Sequence, residues 1–239
     1  MKRVEEKQFK YFDIIMAFFV MILVVSNIAS SAKIVDLKAN LFGLQLAFDG
    51  GTILFPLSYI FGDILTEVYG YKLSRRVIWT GFAALAGSSL VFWGLGLLPG
   101  ESQWQTYAGD HAYAAILGGM SSGGIVLGSL AGFWSGEFSN SVILARLKVI
   151  TEGKMLWLRT ISSTLVGQMI DTVVFVTIAS LFGVFPWSLF WTLTVSNYLF
   201  KVGIEVIMTP LTYKLVTKAK SIEKVDHYDR DTDFNPFLI

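Results

Sequence analysis

The chain has 239 residues, of which 54% are hydrophobic and only 15% are charged, and its mean hydropathy is +0.59. A soluble domain usually carries about 25% charged residues, so this composition indicates an integral membrane protein. The net charge of +1 gives no basis for binding nucleic acid, and the lack of cysteine excludes disulfides, thiol nucleophiles and cysteine-ligated metals.

Apolar segments long enough to cross a membrane recur along the chain. About 20 residues are needed to span roughly 30 Å of hydrocarbon. Six candidate helices satisfy this requirement, at about 11–31, 52–70, 76–98, 113–146, 160–183 and 187–213. The first is predicted to be retained, because its leading segment MKRVEEKQFK is acidic and no small-residue cleavage site follows.

The fold class that these segments predict is an all-α integral membrane protein, a compact bundle of six transmembrane helices over residues 11–214. Residues 1–10 form a cytoplasmic N-terminal segment and residues 215–239 a cytoplasmic polar tail, which we expect to be mostly disordered. The fourth helix is overlong, which indicates a break near Ser121 to Gly124. Its recurring glycines and serines are typical of close helix packing.

The connection over residues 32–51 is long and semi-apolar. It contains alternating stretches, KIVDL and LQLAF, which are typical of short strands. This pattern predicts a short hairpin or a re-entrant cover on the outer face.

The distribution of lysine and arginine predicts the orientation. Sixteen of them lie in the two terminal segments and in the connections after the second and fourth helices, against two in the alternate connections. Basic residues concentrate in cytoplasmic loops. Both termini are therefore predicted to be cytoplasmic.

Two segments of the chain resemble each other. SGEFSNSVIL (135–144) aligns without gaps on VGQMIDTVVF (166–175), so that Glu137 matches Gln168 and Asn140 matches Asp171. Internal symmetry of this kind occurs in transporters whose repeated helices line a midplane site. A chance match is the alternative.

A small set of polar residues lies inside the predicted helices. A charged side chain there costs several kcal/mol unless it faces the bundle interior or a watery cavity. The set is predicted to line a substrate-binding cavity near the midplane. It consists of Asn27, Asp63, Glu67, Glu137, Asn140, Gln168, Asp171, Asn197, Lys201 and Glu205.

Several of these charges have a structural alternative. Lys201 and Glu205 are four residues apart, so they could form an intrahelical ion pair that only neutralises both charges. Glu67 lies near a helix end, where it could pair with Arg75 or Arg76. Asp63 and Asp171 are the hardest to explain structurally, because Asp171 falls near the middle of its helix.

The amides and the aromatic residues also have two interpretations. Asn27, Asn140 and Gln168 could be interhelical hydrogen-bonding groups rather than ligands of a substrate. Trp134 and Trp191 could stack on a planar ligand or belong to the interfacial aromatic belts.

The residue types inside the predicted helices argue against an enzyme. Both histidines, His111 and His227, fall outside the predicted helices. A zinc site or a Cys/His nucleophile inside the bundle is therefore excluded. Paired aspartates of the GxGD type and a phosphate-binding GxxxxGK[ST] loop are also missing. We predict no catalytic residue, no metal and no cofactor.

Three blocks of sequence resemble the queuosine precursor transporter family, once named for vitamin uptake. They are FPLSYIFGDILTEVYGYKLSRRVIWTGF (55–82), SNIASSAKIV (26–35) and LWLRTISSTLVGQMIDTVVF (156–175). The resemblance covers most of the chain from Tyr11 to Lys214. It implies a six-helix inner-membrane importer of 7-deazaguanine bases, with a fold similar to that of vitamin-binding components of energy-coupling-factor transporters.

One block departs from the family pattern. Where members of the family read closer to SQFID in the fourth helix, this chain has SGEFSN, which places Glu137 and Asn140 there. This difference bears on which of the 7-deazaguanine precursors the chain would prefer.

The resemblance implies a specific chemistry for the polar residues. A 7-deazaguanine offers N1–H and an amine to one carboxylate, a carbonyl to Asn, Gln or Lys, and flat faces to aromatic rings. The aminomethyl precursor is a cation that can engage a second acid, whereas the cyano precursor is neutral.

The expected partners are therefore a small deazaguanine base and the lipid bilayer, with no nucleic acid. A homo-oligomer and a partner ATPase are left open. The alternative functions are a substrate-binding component for another vitamin that docks on an ATP-driven module, and an embedded enzyme.

Overall fold

A computed structural model describes residues 9–41, 44–121, 123–183 and 185–238. Over these residues the chain is mainly helical and contains one two-stranded sheet. The elements in chain order are α1 (Phe12–Ala32), β1 (Ile34–Leu41), β2 (Leu44–Asp49), α2 (Phe55–Ile64), α3 (Tyr71–Gly96), α4 (Ser102–Tyr107), α5 (Gly109–Ser121), α6 (Gly123–Ile150), α7 (Leu156–Leu181) and α8 (Phe190–Glu223).

Four helical segments of the described chain are long and apolar enough to cross a membrane. They are Phe12–Ala32, Tyr71–Gly96, Gly109–Ile150 and Leu156–Leu181. The prediction of a helical multi-pass membrane protein is thereby supported. Six crossings remain a prediction, because α2 has only 10 residues and polar residues interrupt the 34-residue α8. The break predicted near Ser121 to Gly124 includes residue 122, which lies outside the described residues.

Helix α2 changes geometry at its end. Pro56 occupies the first turn, where the missing N–H costs nothing. After Ile64 the chain forms one π-helical turn, Leu65–Tyr69, and Gly70 ends it with φ +85°. Single π-helical turns of this kind are frequent at functional sites.

Helices α6 and α7 are antiparallel and packed through glycines. A Cβ added at Gly136 would lie 2.6 Å from Cβ of Asp171, and one added at Gly167 would lie 2.9 Å from Cβ of Asn140. These two contacts are equivalent under the alignment of 135–144 with 166–175. The two segments are therefore related by a local two-fold arrangement, as their sequence similarity suggested, and the glycine pattern serves close packing.

The connection after α1 forms the predicted hairpin. Strands β1 and β2 pair antiparallel from Ile34 opposite Asp49 to Leu41 opposite Leu44, with an irregularity between Asp36 and Asn40. Residues 42–43, between the two strands in the sequence, lie outside the described residues.

The C-terminal tail contradicts the expectation of disorder. Helix α8 continues to Glu223, and the residues after it fold back on the bundle. Arg75 Nη1 donates to the carbonyl oxygen of Asn235 at 2.6 Å, and Trp79 Nε1 donates to that of Pro236 at 2.8 Å. The expectation was wrong because a polar composition does not reveal that backbone carbonyls can satisfy donors on another helix.

Candidate functional site

Seven of the ten predicted polar residues converge where α2, α6, α7 and α8 meet. We call this group the central cluster, and it comprises Tyr59, Asp63, Glu137, Asn140, Gln168, Asp171, Lys201 and Glu205. The following contacts define it.

Helices α2 and α6 contribute a buried acid–amide contact. Asp63 is 1% exposed, and Nδ2 of Asn140 lies 3.5 Å from its Oδ1, a long contact. Gly62 permits a second approach, because a Cβ there would lie 3.3 Å from Oε2 of Glu137. Glu137 is itself buried and interacts electrostatically with Asp63. Two carboxylates and one amide thus face the same space.

Helices α7 and α8 contribute an ion pair. Lys201 Nζ donates to Asp171 Oδ2, and both side chains are about one-fifth exposed, at 19% and 20%. Both charges also act on Glu137. The pair joins two helices, so the alternative of an ion pair between Lys201 and Glu205 is not what the structure shows.

Glu205 contacts α7 instead. Its Oε1 accepts a hydrogen bond from Oγ1 of Thr164, and the residue is 6% exposed. Its second oxygen, Oε2, and Oδ1 of Asn140 are both buried without a hydrogen-bond partner among the described residues. An unpartnered buried polar atom costs about 1–3 kcal/mol. The central cluster therefore has acceptors to spare.

Tyr59 is a cluster member that the sequence interpretation missed. Its hydroxyl donates to Oε1 of Gln168 at 3.2 Å, and the carboxylates of Asp171, Glu205 and Glu137 act on this hydroxyl electrostatically. It lies four residues before Asp63 and so on the same helical face. That spacing is the signal that could have found it.

Two other predicted residues stand apart. Asn27 donates through Nδ2 to the carbonyl oxygen of Leu23 in its own helix, at 2.8 Å. Asn197 is half-buried on α8 and makes no side-chain hydrogen bond with the central cluster among the described residues. Trp134 packs against Phe138 with ring centroids 5.1 Å apart, and Trp191 is 72% exposed.

Glu67 lies within the π-helical turn and belongs to a second group of residues, one turn beyond Asp63. It is fully buried, and its Oε1 lies 2.6 Å from Arg159, 2.7 Å from Lys220 and 3.6 Å from Lys148. We call these four residues the Glu67 cluster. Arg75, one of the two partners in the alternative interpretation of Glu67, donates instead to the C-terminal tail.

The Glu67 cluster ties four elements together. One carboxylate on the π-helical turn holds cations from α6, α7 and α8. Burial works against the charged form of Lys220, but Glu67 and Asp226 outweigh that effect and raise its pKa. Removing one partner from a buried ionic group is strongly destabilising, by about 3–5 kcal/mol.

The described residues include no group of three or more His, Asp or Glu side chains that could hold a metal ion. The central cluster is thus a set of carboxylates, amides, one hydroxyl and one amine. Groups of this kind recognise a small polar molecule through hydrogen bonds and charge.

Comparison with known proteins places the chain among transporters. A family model described as "Putative vitamin uptake transporter" matches residues 49–215. A "Probable queuosine precursor transporter" of Bacillus subtilis is 30% identical over 176 residues, which cover 73% of each chain. A protein of Haemophilus influenzae with the same description is 26% identical over 168 residues, covering 70% of this chain and 67% of the relative.

A "Queuosine precursor transporter" of Escherichia coli is 24% identical over 152 residues, covering 64% of this chain and 63% of the relative. No solved structure matches the chain. The matched region contains the central cluster and, except for Lys220, the Glu67 cluster. The chain therefore belongs to the vitamin uptake and queuosine precursor transporter family, a family of transporters and not of enzymes.

Proposed function

We propose that the chain imports 7-deazaguanine precursors of queuosine, the cyano and aminomethyl bases, and binds them in the central cluster. The observation that carries the proposal is the surplus of buried acceptors, Oε2 of Glu205 and Oδ1 of Asn140, beside the buried carboxylates of Asp63 and Glu137. Such a site favours a ligand rich in donors. The names of the relatives point to the same cargo.

The hydrogen-bond donors of a deazaguanine match this surplus of buried acceptors. Its N1–H and exocyclic amine are adjacent donors that one carboxylate can accept together. Asp63 suits this role because it is nearly inaccessible to water. The aminomethyl form brings a cation as well, and Glu137 is a second acid close to Asp63.

The ligand carbonyl needs a donor, and Tyr59 helps to provide one. Because the Tyr59 hydroxyl donates to Oε1 of Gln168, the Gln168 NH₂ group is directed away from Tyr59. In this orientation Gln168 presents donors to the ligand. The site would then accept a base with a carbonyl at the 6-position and reject one with an amine there.

Tyr59→Phe should therefore relax the selectivity. Without the hydroxyl, Gln168 can turn its oxygen toward the ligand, and loss of one hydrogen bond should lower deazaguanine uptake by up to about tenfold. Adenine, which should not compete with the wild type, should begin to compete. The measurement is inhibition of labelled precursor uptake by adenine.

Tyr113→Phe is the matched control, because its hydroxyl also donates a hydrogen bond, to the carbonyl oxygen of Phe92 at 2.6 Å between α5 and α3. It should retain the wild-type selectivity. The same adenine sensitivity in wild type and Tyr59→Phe would remove Tyr59 from cargo selection.

We propose an inner-membrane location with both termini in the cytoplasm. Support comes from one end of the bundle, where the start of α1, the start of α3 and the end of α8 meet. There Glu223 accepts hydrogen bonds from the backbone N–H groups of Lys10 and Tyr11 and from the Tyr69 hydroxyl. The cations of the Glu67 cluster lie near the same helix ends, as expected for a cytoplasmic face.

A reporter that is active only outside the cytoplasm tests this orientation. Fused after Ile239, it should remain silent, whereas a cytoplasmic reporter at the same site should be active. The reverse pattern would overturn the proposed topology.

Uptake in cells that cannot make queuosine de novo tests the function. Cells that carry the chain should accumulate labelled cyano or aminomethyl base, and cells that lack it should not. Guanine differs from these bases only at the 7-position and should compete weakly. Stronger competition by biotin, thiamine or riboflavin, or co-purification of an ATPase, would favour the vitamin-binding alternative.

A further inference from the structure

The C-terminal segment, residues 225–238, contacts several parts of the bundle. It follows α8 and lies outside the family match to residues 49–215. Its contacts reach the π-helical turn, α3 and α6. A segment that the family model does not cover but that binds three elements of the shared bundle calls for a functional explanation.

Its first anchor is ionic. Asp226 Oδ1 lies 2.5 Å from Lys148 Nζ and 2.9 Å from Lys220 Nζ. Both lysines also contact Glu67. Burial would raise the pKa of Asp226, but hydrogen bonds from the two lysines outweigh this and lower it. The segment thus adds a second, charged acid to the Glu67 cluster.

Its second anchor closes over the π-helical turn. The backbone N–H of His227 donates to the carbonyl oxygen of Val68 at 3.3 Å, and Lys148 donates to that of His227 at 2.6 Å. A Cβ added at Gly70 would lie 2.2 Å from the His227 ring. The glycine that ends the turn therefore also makes room for the segment.

Its third anchor is the start of α3. Asp229 is 4% exposed and accepts the backbone N–H of Tyr71 at 3.0 Å, which satisfies a free donor in the first helical turn. The Tyr71 hydroxyl donates to the carbonyl oxygen of Phe234 at 3.1 Å, and their rings lie 5.0 Å apart. Charge, backbone and aromatic contacts are combined in one short segment.

We infer that this segment is a latch that holds the Glu67 end of the bundle closed. Asp63 lies one turn before Glu67, so a molecule leaving the central cluster toward this end must pass the Glu67 cluster. Passage requires α6, α7 and α8 to separate from the π-helical turn. Asp226 opposes this separation because it binds both Lys148 on α6 and Lys220 on α8. The inference rests on the transport role of the chain but not on the identity of its cargo.

The chain contains no cysteine, so a single introduced thiol can report the opening. Ser141 is 1% exposed on α6 and contacts Thr66 Oγ1 at 3.1 Å, between the central cluster and the Glu67 cluster. Cysteine is close to serine in size. The reporter chain is therefore Ser141→Cys, treated in membrane vesicles with a charged, membrane-impermeant maleimide added to one side at a time.

The reporter should react slowly in the otherwise unaltered chain. Adding Asp226→Asn and Asp229→Asn should increase the reaction rate at least about fivefold, from the side of the Glu67 cluster only. No cargo is added, so the result is independent of what is transported. Asp231→Asn, an exposed acid in the same segment, is the matched control and should leave the rate unchanged.

Several results would overturn the latch. They are equal rates with and without the two substitutions, a similar increase with Asp231→Asn, or an increase only from the opposite side. If the double substitution prevents folding, judged by elution of the solubilised protein, Asp226→Asn alone takes its place. Misfolding of both would assign the segment a fixed structural role instead.

Discussion

Asp63→Asn is expected to reduce uptake of a deazaguanine base by about a hundredfold or more while the protein still inserts and accumulates. The substitution keeps the shape of the side chain but replaces one accepting oxygen with a donor. Each hydrogen bond to a charged group is worth about 1.5–3 kcal/mol, so loss of the pair to N1–H and the amine has a large effect. The measurement is initial uptake of labelled base, normalised to membrane-inserted protein.

The control for Asp63→Asn is Asp231→Asn, which removes an equal charge elsewhere. Asp231 lies in the exposed part of the C-terminal segment, so the variant should transport normally. Normal uptake by Asp63→Asn would return that residue to a structural role. Asp171 is proposed as a ligand too, but its neutralisation also leaves Lys201 without this partner, so Asp63 gives the cleaner test.

The sequence predicted several of the long apolar helices because lipid imposes simple requirements on their length and hydropathy. Length and hydropathy located α1, α3 and α7, and alternation located the hairpin that β1 and β2 form. The convergence of polar residues could also be predicted from the free-energy cost of placing a charge in lipid, because an acid such as Asp63 is tolerated only inside the bundle. These inferences needed no knowledge of specific contacts.

Pairing between helices could not be predicted in the same way. Lys201 lies four residues from Glu205 but pairs with Asp171, because the helix positions decide which acid is nearer. The structural alternative for Glu67 was a pair with Arg75 or Arg76, which are nearby in sequence. Its three cations come from elsewhere in the chain, and such partners are fixed by packing.

Tyr59 and the C-terminal segment were missed for different reasons. Tyrosine is common near membrane interfaces, so its type did not mark Tyr59 as a member of a buried cluster. The segment after α8 is polar, and its docking depends largely on carbonyl acceptors such as that of Asn235. Every residue has a backbone carbonyl, so the sequence does not show which carbonyl groups will accept a hydrogen bond from another part of the chain.

Glu67→Gln should be strongly destabilising. It leaves Lys148, Arg159 and Lys220 in a buried site without their shared acid, which should cost about 3–5 kcal/mol. The expected result is a lower unfolding temperature in detergent and less inserted protein. An unfolding temperature equal to that of the wild type would show that the cluster is well solvated.

The structure also predicts which second substitution restores stability. Lys148 and Lys220 both keep Asp226 when Glu67 is neutralised, whereas no acid other than Glu67 contacts Arg159 among the described residues. Arg159 is fully buried, so its charge is the most costly one left behind. Adding Arg159→Met to Glu67→Gln should therefore raise the unfolding temperature well above that of Glu67→Gln alone, while Lys220→Met should restore little. If Arg159→Met and Lys220→Met restored the unfolding temperature equally, the three cations would have to interact with the acids of the site as one group. The C-terminal segment would then neutralise more of the Glu67 cluster than the two direct contacts of Asp226 indicate.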